Sequence, residues 1–357
     1  MIGILFGAGA SFGSQIDNAP PLGAGLYASI KNMDIGPRRE IKREAHECSS
    51  VVDYLSSTNT KITESITIDE WVASVSQSSK ELFKKGDFEG GLSSLTKKIK
   101  EDRESRKVSK GASFMIPGDE QLDIALPEKI MRSVAVFMYR FLPSKENLYR
   151  RIIRALPENS YLFTLNYDSL LEIAASEDRV NLLEYEKVRK SYISHPSKSL
   201  NYFQLHGGVT LCSTWQHHRE GVPSLVSHSN VERINRRIYI SEHLWFDLDI
   251  KSYIENLKGL AALSFYDPEK SNVVAPDIFG EFHEAYKISL DKLSKLIIVG
   301  CRFTPHDKHL WDPVRLFKGE IYWCGSIPAE KPFLENFTHL GSRFGDSIDL
   351  ILDVING

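Results

Sequence analysis

Met1-Ile2-Gly3-Ile4-Leu5-Phe6-Gly7-Ala8-Gly9-Ala10-Ser11-Phe12-Gly13 opens the chain and decides its fold. Ile2 to Phe6 is a short apolar run with the length and composition of a buried strand. It ends abruptly in Gly7, Ala8, Gly9, Ala10 and Ser11, small residues that let a backbone approach a ligand closely. A strand that ends in such a loop and feeds a helix N-terminus is a ready anion site, because free N–H groups point at a bound phosphate.

Two familiar motifs fit this stretch poorly. The dehydrogenase fingerprint wants a third glycine three residues after the second, and Phe12 stands there. No acidic residue closes a second strand about twenty positions on; the chain instead turns through Asn18-Ala19-Pro20-Pro21-Leu22-Gly23. Gly9-Ala10-Ser11-Phe12-Gly13 also matches the G-x-S-x-G elbow of α/β-hydrolases. That elbow follows a central strand with several strands before it, and only one strand fits before Ser11.

At 357 residues, with 42% apolar and 25% charged residues, the chain has the composition of a globular protein of one large domain with insertions, or of two domains. A net charge of −3 gives no global attraction to nucleic acid or an anionic membrane, so direct nucleic-acid binding is not expected. No apolar run approaches the ~20 residues that span a bilayer. No basic region precedes the five-residue apolar stretch, so no signal peptide is expected. Cys48, Cys212, Cys301 and Cys324 form no C-x-x-C pair. Reduced thiols in a cytoplasmic protein are the expectation.

Near-continuous apolar runs are what a sheet covered on both faces requires. Ile2–Phe6, Tyr161–Leu165, Leu296–Val299 and Glu320–Trp323 are such runs, and Asn201–Leu205 is a candidate fifth. Asp34–Tyr54, Asp69–Lys85 and Pro127–Leu142 carry apolar residues at helical spacing instead. The mixed-charge run Lys97–Lys110 reads as a solvated helix end or loop. The expectation is an α/β fold: a Rossmann-like parallel sheet with helices on both faces, interrupted by a mainly helical insertion. Residues 1–30 and 155–357 would form the split α/β domain, 31–154 the insertion, and 212–285 a smaller one.

Ligands of open α/β sheets gather at the carboxyl ends of the strands. Asn166 and Asp168 follow the second run, in Thr164-Leu165-Asn166-Tyr167-Asp168. Asn166 can hold a water or a ribose hydroxyl, and Asp168 can accept from another; taken singly, each residue is better accounted for by capping of the next helix, over Ser169–Ala175. His206, in Leu205-His206-Gly207-Gly208, has the side chain suited to proton transfer near neutrality. Gly300 and Cys301 follow the run Leu296–Val299, with Asp307 shortly after, and Gly325 and Ser326 follow the run Glu320–Trp323. Both junctions suit ribose or adenine.

In this order the segments resemble the sirtuin-like family, specifically its bacterial NAD-consuming branch associated with antiphage defence. Gly7-Ala8-Gly9-Ala10-Ser11 resembles the family's first phosphate loop. Thr164-Leu165-Asn166-Tyr167-Asp168 resembles its T-x-N-x-D segment, and Leu205-His206-Gly207 the segment carrying its histidine. Val299-Gly300-Cys301-Arg302-Phe303 is similar, more loosely, to its later ribose loop. The likeness covers residues 1–30 and 155–357.

The resemblance implies cleavage of NAD, as substrate, at the nicotinamide–ribose bond. Asn166 and His206 would be catalytic. Gly7, Ala8, Gly9, Ala10, Ser11, Asp168, Gly300, Cys301, Gly325 and Ser326 would bind the nucleotide. It also implies NAD depletion in defence, a homo-oligomer, and a separate partner such as an ATPase or sensor. The family's protein deacylases carry a zinc held by two C-x-x-C pairs after the histidine. Here only Cys212 lies in that neighbourhood, and His217 with His218 completes no recognisable ligand set, so no metal is expected. His306 and His309 are expected at the surface. The rivals are an NAD-dependent deacylase and a non-catalytic subunit that senses NAD or ADP-ribose.

Overall fold

The computed structural model describes residues 1–22, 135, 137–139, 141–183, 195–213, 231–233, 261–264, 276–304, 307–327 and 337–357. The chain divides into two compact units. One comprises Met1–Pro20, Met138–Leu263 and Asn272–Gly357, and the other Pro21–Phe137 with Ser264–Ser271. The expected helices Asp34–Tyr54 and Asp69–Lys85, most of Pro127–Leu142, and Lys97–Lys110 lie outside the described residues, as do His217, His218 and His306.

Ile2–Phe6 is strand β1, buried along its whole length, as its unbroken apolar sequence requires. It leads into helix α1, Ala8–Gly13. Helix α2, Leu148–Ala155, precedes β2, Tyr161–Thr164, and α3, Leu170–Glu177, follows it. Next come β3, Val180–Leu183, β4, Lys198–Gln204, and β5, Gly207–Ser213. The remainder is β6, Val231–Arg233; β7, Ala261–Leu263; α4, Pro276–Leu290; β8, Lys295–Val299; α5, Lys308–Leu316; β9, Glu320–Cys324; β10, Phe337–Gly341; and α6, Phe344–Asn356.

Seven strands form one sheet in the order β10-β9-β8-β1-β2-β4-β3, and every pairing in it is parallel. This is the Rossmann-like parallel sheet that the apolar runs predict. A small antiparallel sheet, β6-β5-β7, begins immediately after His206. The two strands of the large sheet that the sequence pattern does not reveal, β3 and β10, are its two edges. An edge strand is not buried on both sides, and β10 exposes Thr338 and His339, so neither reads as an apolar run.

Both faces of the sheet are covered. Phe6 packs edge-on against Tyr149 of α2, with ring centroids 5.0 Å apart, and lies 6.4 Å from Phe344 of α6. Phe163 is paired in register with Leu5, so it points the opposite way from Phe6. There it meets Tyr286 of α4 edge-on at 4.8 Å. Phe6, Phe163, Tyr149 and Tyr286 are all fully buried, and each such side chain stabilises the fold by about 1.5–3 kcal/mol.

From β1 the chain moves to β2 on one side, and later places β8 on the other. The reversal brings the exits of β1 and β8 side by side, joined by backbone hydrogen bonds. Gly7 N–H donates to Val299 O at 2.9 Å, and Gly9 N–H to Gly300 O at 2.9 Å. Gly300 has φ +64°, and a side chain there would run into the backbone of Gly9 and Ala10. Gly300→Ala is therefore expected to cost about 1–3 kcal/mol from the backbone conformation alone, with the collision in addition. Urea denaturation measures this, and an unchanged midpoint would refute the close contact.

Candidate functional site

The parallel register aligns the carboxyl ends of β8, β1, β2 and β4 along one rim. Backbone bonds carry the alignment past the strands: Leu165 N–H donates to Phe6 O, and Leu205 N–H to Thr164 O, both at 2.9 Å. Val209 N–H then donates to Tyr167 O at 2.9 Å. The segments bearing Ser11, Asn166, Asp168 and His206 thus occupy neighbouring positions on this rim. Gly325 is tied in next to β10, its N–H donating to Gly341 O at 2.8 Å, and Ser326 lies exposed beside it.

Ser11 is the hub. Its side chain is 1% exposed, and its hydroxyl meets Tyr149 Oη at 2.9 Å, Asn166 Nδ2 at 2.9 Å, and the Asp168 carboxylate. A serine hydroxyl offers one proton and two lone pairs. Given to Asp168, that proton leaves the oxygen to accept from Asn166 and Tyr149, so all three neighbours are satisfied together. Asn166 Nδ2 also reaches Tyr149 Oη at 3.2 Å. A buried serine inside α1, held in this way, is not an exposed nucleophile on a strand-to-helix turn, and the hydrolase-elbow reading fails on that ground.

Tyr149 arrives from far along the chain through a second set of polar contacts. Asn147 caps α2, its Oδ1 accepting from Tyr149 N–H at 2.9 Å. Its Nδ2 donates to Ser14 Oγ at 3.1 Å and Gln15 Oε1 at 2.7 Å. Leu148 N–H donates to Ser14 O at 2.8 Å. These bonds stitch the start of α2 to the end of α1 and bring Tyr149 to Ser11. Asn147 followed by a helix is a readable cap; nothing in its sequence signals the partner.

Asp168 performs the capping role as well: Oδ1 accepts from Leu170 N–H at 3.0 Å, at the start of α3. Burial raises its carboxyl above the ordinary range, while the hydrogen bonds from Ser11 and from backbone N–H groups pull it back. Burial likewise drives the Tyr149 phenol well up, with the charge of Asp168 adding to it. Asn166 is 6% exposed, and its Oδ1 is buried with no hydrogen-bond partner among the described residues. An orphaned buried acceptor is costly, so this oxygen stands ready for a donor.

The glycine loop departs from simple expectation. The N–H groups of Gly7 and Gly9 already serve Val299 O and Gly300 O, and that of Ala10 serves Gly7 O. Cys301 turns inward, with Sγ 3.7 Å from Leu5 O, and burial pushes its thiol far above the ordinary range.

No protein-family model and no curated protein matches the chain. Solved structures similar to it include two Sir2 homologues. A serine-to-alanine variant of a Sir2 homologue in complex with ADP-ribose is 14% identical, with a TM-score of 0.33 over 67% of this chain and 78% of that one. A histidine-to-asparagine variant of a Sir2 homologue, also with ADP-ribose, is 11% identical, with a TM-score of 0.33 over 99% of this chain and 91% of that one.

His206 is half-buried in the turn between β4 and β5. Gly207 permits that turn: its φ is +75°, and a side chain there would strike Ala262 O. Glu172 of α3 braces both flanking strands, its Oε1 accepting from Gln204 Nε2 at 2.9 Å and Thr210 Oγ1 at 3.1 Å. His309 is no surface group, contrary to expectation. Its Nε2 lies 3.3 Å from Nε2 of His206, and its ring lies tilted against that of His283 with centroids 4.0 Å apart. His283 Nε2 donates to Leu205 O at 2.9 Å. The sequence separates these three histidines by up to 103 positions, so no spacing rule finds the cluster.

Because the Asp168 carboxyl is raised, the folded state holds its proton to higher pH than the unfolded chain does. Stability from this group is greatest below the ordinary carboxylate pKa and falls as pH rises through the elevated one. Asp168→Asn cannot ionise, so its stability relative to the parent should improve from acid to neutral pH. Denaturant midpoints across that range measure the difference; one that does not change with pH would contradict a desolvated carboxylate here.

Proposed function

We propose that this chain binds NAD at the carboxyl rim of its parallel sheet and hydrolyses the nicotinamide–ribose bond, giving nicotinamide and ADP-ribose. The observation that carries the reading is the buried, orphaned Oδ1 of Asn166, held in place through Ser11 and Tyr149 on the rim that also bears His206. The topological reversal beside β1 is where open α/β sheets take nucleotides, and the order of the segments resembles that of the sirtuin-like family.

In this reading the glycosidic bond breaks through an oxocarbenium-like state, as glycosidic bonds do. The electron pair of the C–N bond goes to the nicotinamide nitrogen, which loses its positive charge. Asn166 Oδ1 accepts a hydrogen bond from the attacking water or from a ribose hydroxyl. The water oxygen bonds to the anomeric carbon, and His206 takes the released proton. Ala8, Gly300, Gly325 and Ser326 line the nucleotide's path, and Gly7, Gly9 and Ala10 contribute a close surface instead of N–H donors. Ser11 and Asp168 act by holding Asn166. The missing cysteine pairs favour water over an acyl-lysine as the acceptor, and a catalytic pair of Asn166 with His206 favours turnover over sensing alone.

Chromatography of nicotinamide and ADP-ribose after incubation with NAD tests the proposal. Asn166→Ala and His206→Ala are each expected to lower turnover about 10²–10⁴-fold while keeping the parental circular dichroism. Near-parental turnover in both variants would refute the assignment.

NAD depletion as a defence effector, in the cytoplasm, follows from the family likeness and requires a resting state. Assembly into a homo-oligomer, or a partner such as an ATPase or sensor, would supply the switch. Moving a 1:99 equilibrium to 99:1 takes about 5.5 kcal/mol of differential binding. Specific activity should rise with oligomer size in sedimentation and rate measurements on the same samples; maximal activity per chain in dilute monomer would exclude assembly control.

A further inference from the structure

The three-residue cluster at the end of β4 has a geometry that proton transfer does not require. His206, Asp307 and His309 place ligand-capable atoms within 4.8 Å of one another. The two imidazole Nε2 atoms are 3.3 Å apart. Two nitrogens bound to one tetrahedral zinc at ~2.0–2.1 Å stand about 3.3–3.4 Å from each other. The observed separation matches that edge, and in the absence of a cation it is also within reach of a ring-to-ring hydrogen bond. Two imidazoles and one carboxylate form a donor set for a borderline divalent cation rather than for calcium or magnesium, which take oxygen ligands.

The surroundings are also those of a metal site. Asp307, 5% exposed, receives a hydrogen bond from Thr304 Oγ1 on its Oδ2. Its backbone is fixed by N–H donation to Thr304 O at 3.0 Å, and its carbonyl accepts from Leu310 N–H at 2.9 Å. His283 packs at a tilt against His309 and is itself anchored to Leu205 O, next to His206. Outer contacts of this kind orient ligands and tune their affinity. Asp307 and His309 come from the start of α5 and His206 from the β4–β5 turn, so the set is assembled by the fold.

We propose that His206, Asp307 and His309 bind one zinc-like divalent cation, and that the bound cation withdraws His206 from proton transfer. Binding itself is independent of the proposed NAD chemistry; only the effect on turnover rests on that reading.

The test is a titration of the chelator-treated, full-length protein, without NAD. Cobalt(II) is followed by its visible absorption, and zinc by calorimetry. One equivalent should bind, with the intense bands of four-coordinate cobalt. His309→Ala and His309→Gln should each weaken binding at least about 100-fold, and Thr304→Val about 10–100-fold, the range for outer contacts. Absence of stoichiometric binding to the parent protein would overturn the proposal, and so would undiminished affinity in folded His206→Ala and His309→Gln. A parent that binds cobalt yet never cleaves NAD would sustain the metal site and remove the hydrolase reading.

Discussion

The contact between the Gly9 N–H and the Gly300 carbonyl is the constraint on which the site depends. It holds the start of α1 against the exit of β8, with no room for a side chain at Gly300. That contact sets where α1 begins and therefore where Ser11 points. Ser11 in turn holds Asn166, Tyr149 and Asp168. A backbone-to-backbone approach is stiffer than any side-chain contact because it has no rotamers to relax through.

The polar cluster around Ser11 is a costly thing to build under an apolar sheet. Its members are almost fully buried, and burial raises both the Asp168 carboxyl and the Tyr149 phenol. Such a network is tolerable only when its donors and acceptors match. They match at Ser11, and the mismatch is displaced to one atom, Asn166 Oδ1. That atom belongs to a side chain held rigidly through Ser11 and Tyr149.

Much of this was legible in the sequence, for reasons that also mark the limits. β1, β2, β8 and β9 are interior strands of a doubly covered sheet, so their sequences are plain apolar runs. β3 and β10, at the edges, are not. Asn166, Asp168 and His206 could be singled out because each follows a strand, where function gathers. Tyr149, His283 and His309 could not, because they lie on helices. What matters about them is a partner more than a hundred residues away or on another element. Helical periodicity explains that Tyr149 is buried but carries no information about Ser11. The role of the glycines was half legible: a glycine between strand and helix signals close approach, but not whether a ligand or another loop does the approaching.

The stitching of Asn147 to Ser14 and Gln15, with Ser144 N–H donating to Gln15 Oε1 at 2.9 Å, makes a clasp. The chain departs at Gln15 and is fastened again at Ser144 by bonds that belong wholly to the two ends. Whatever length lies between, the closure entropy changes by only ~0.6 kcal/mol for each doubling. The clasp therefore frees the intervening stretch to diverge, grow or be exchanged while Tyr149 keeps its place beside Ser11. The place of Tyr149 beside Ser11 therefore rests on a joint of three side chains, Ser14, Gln15 and Asn147.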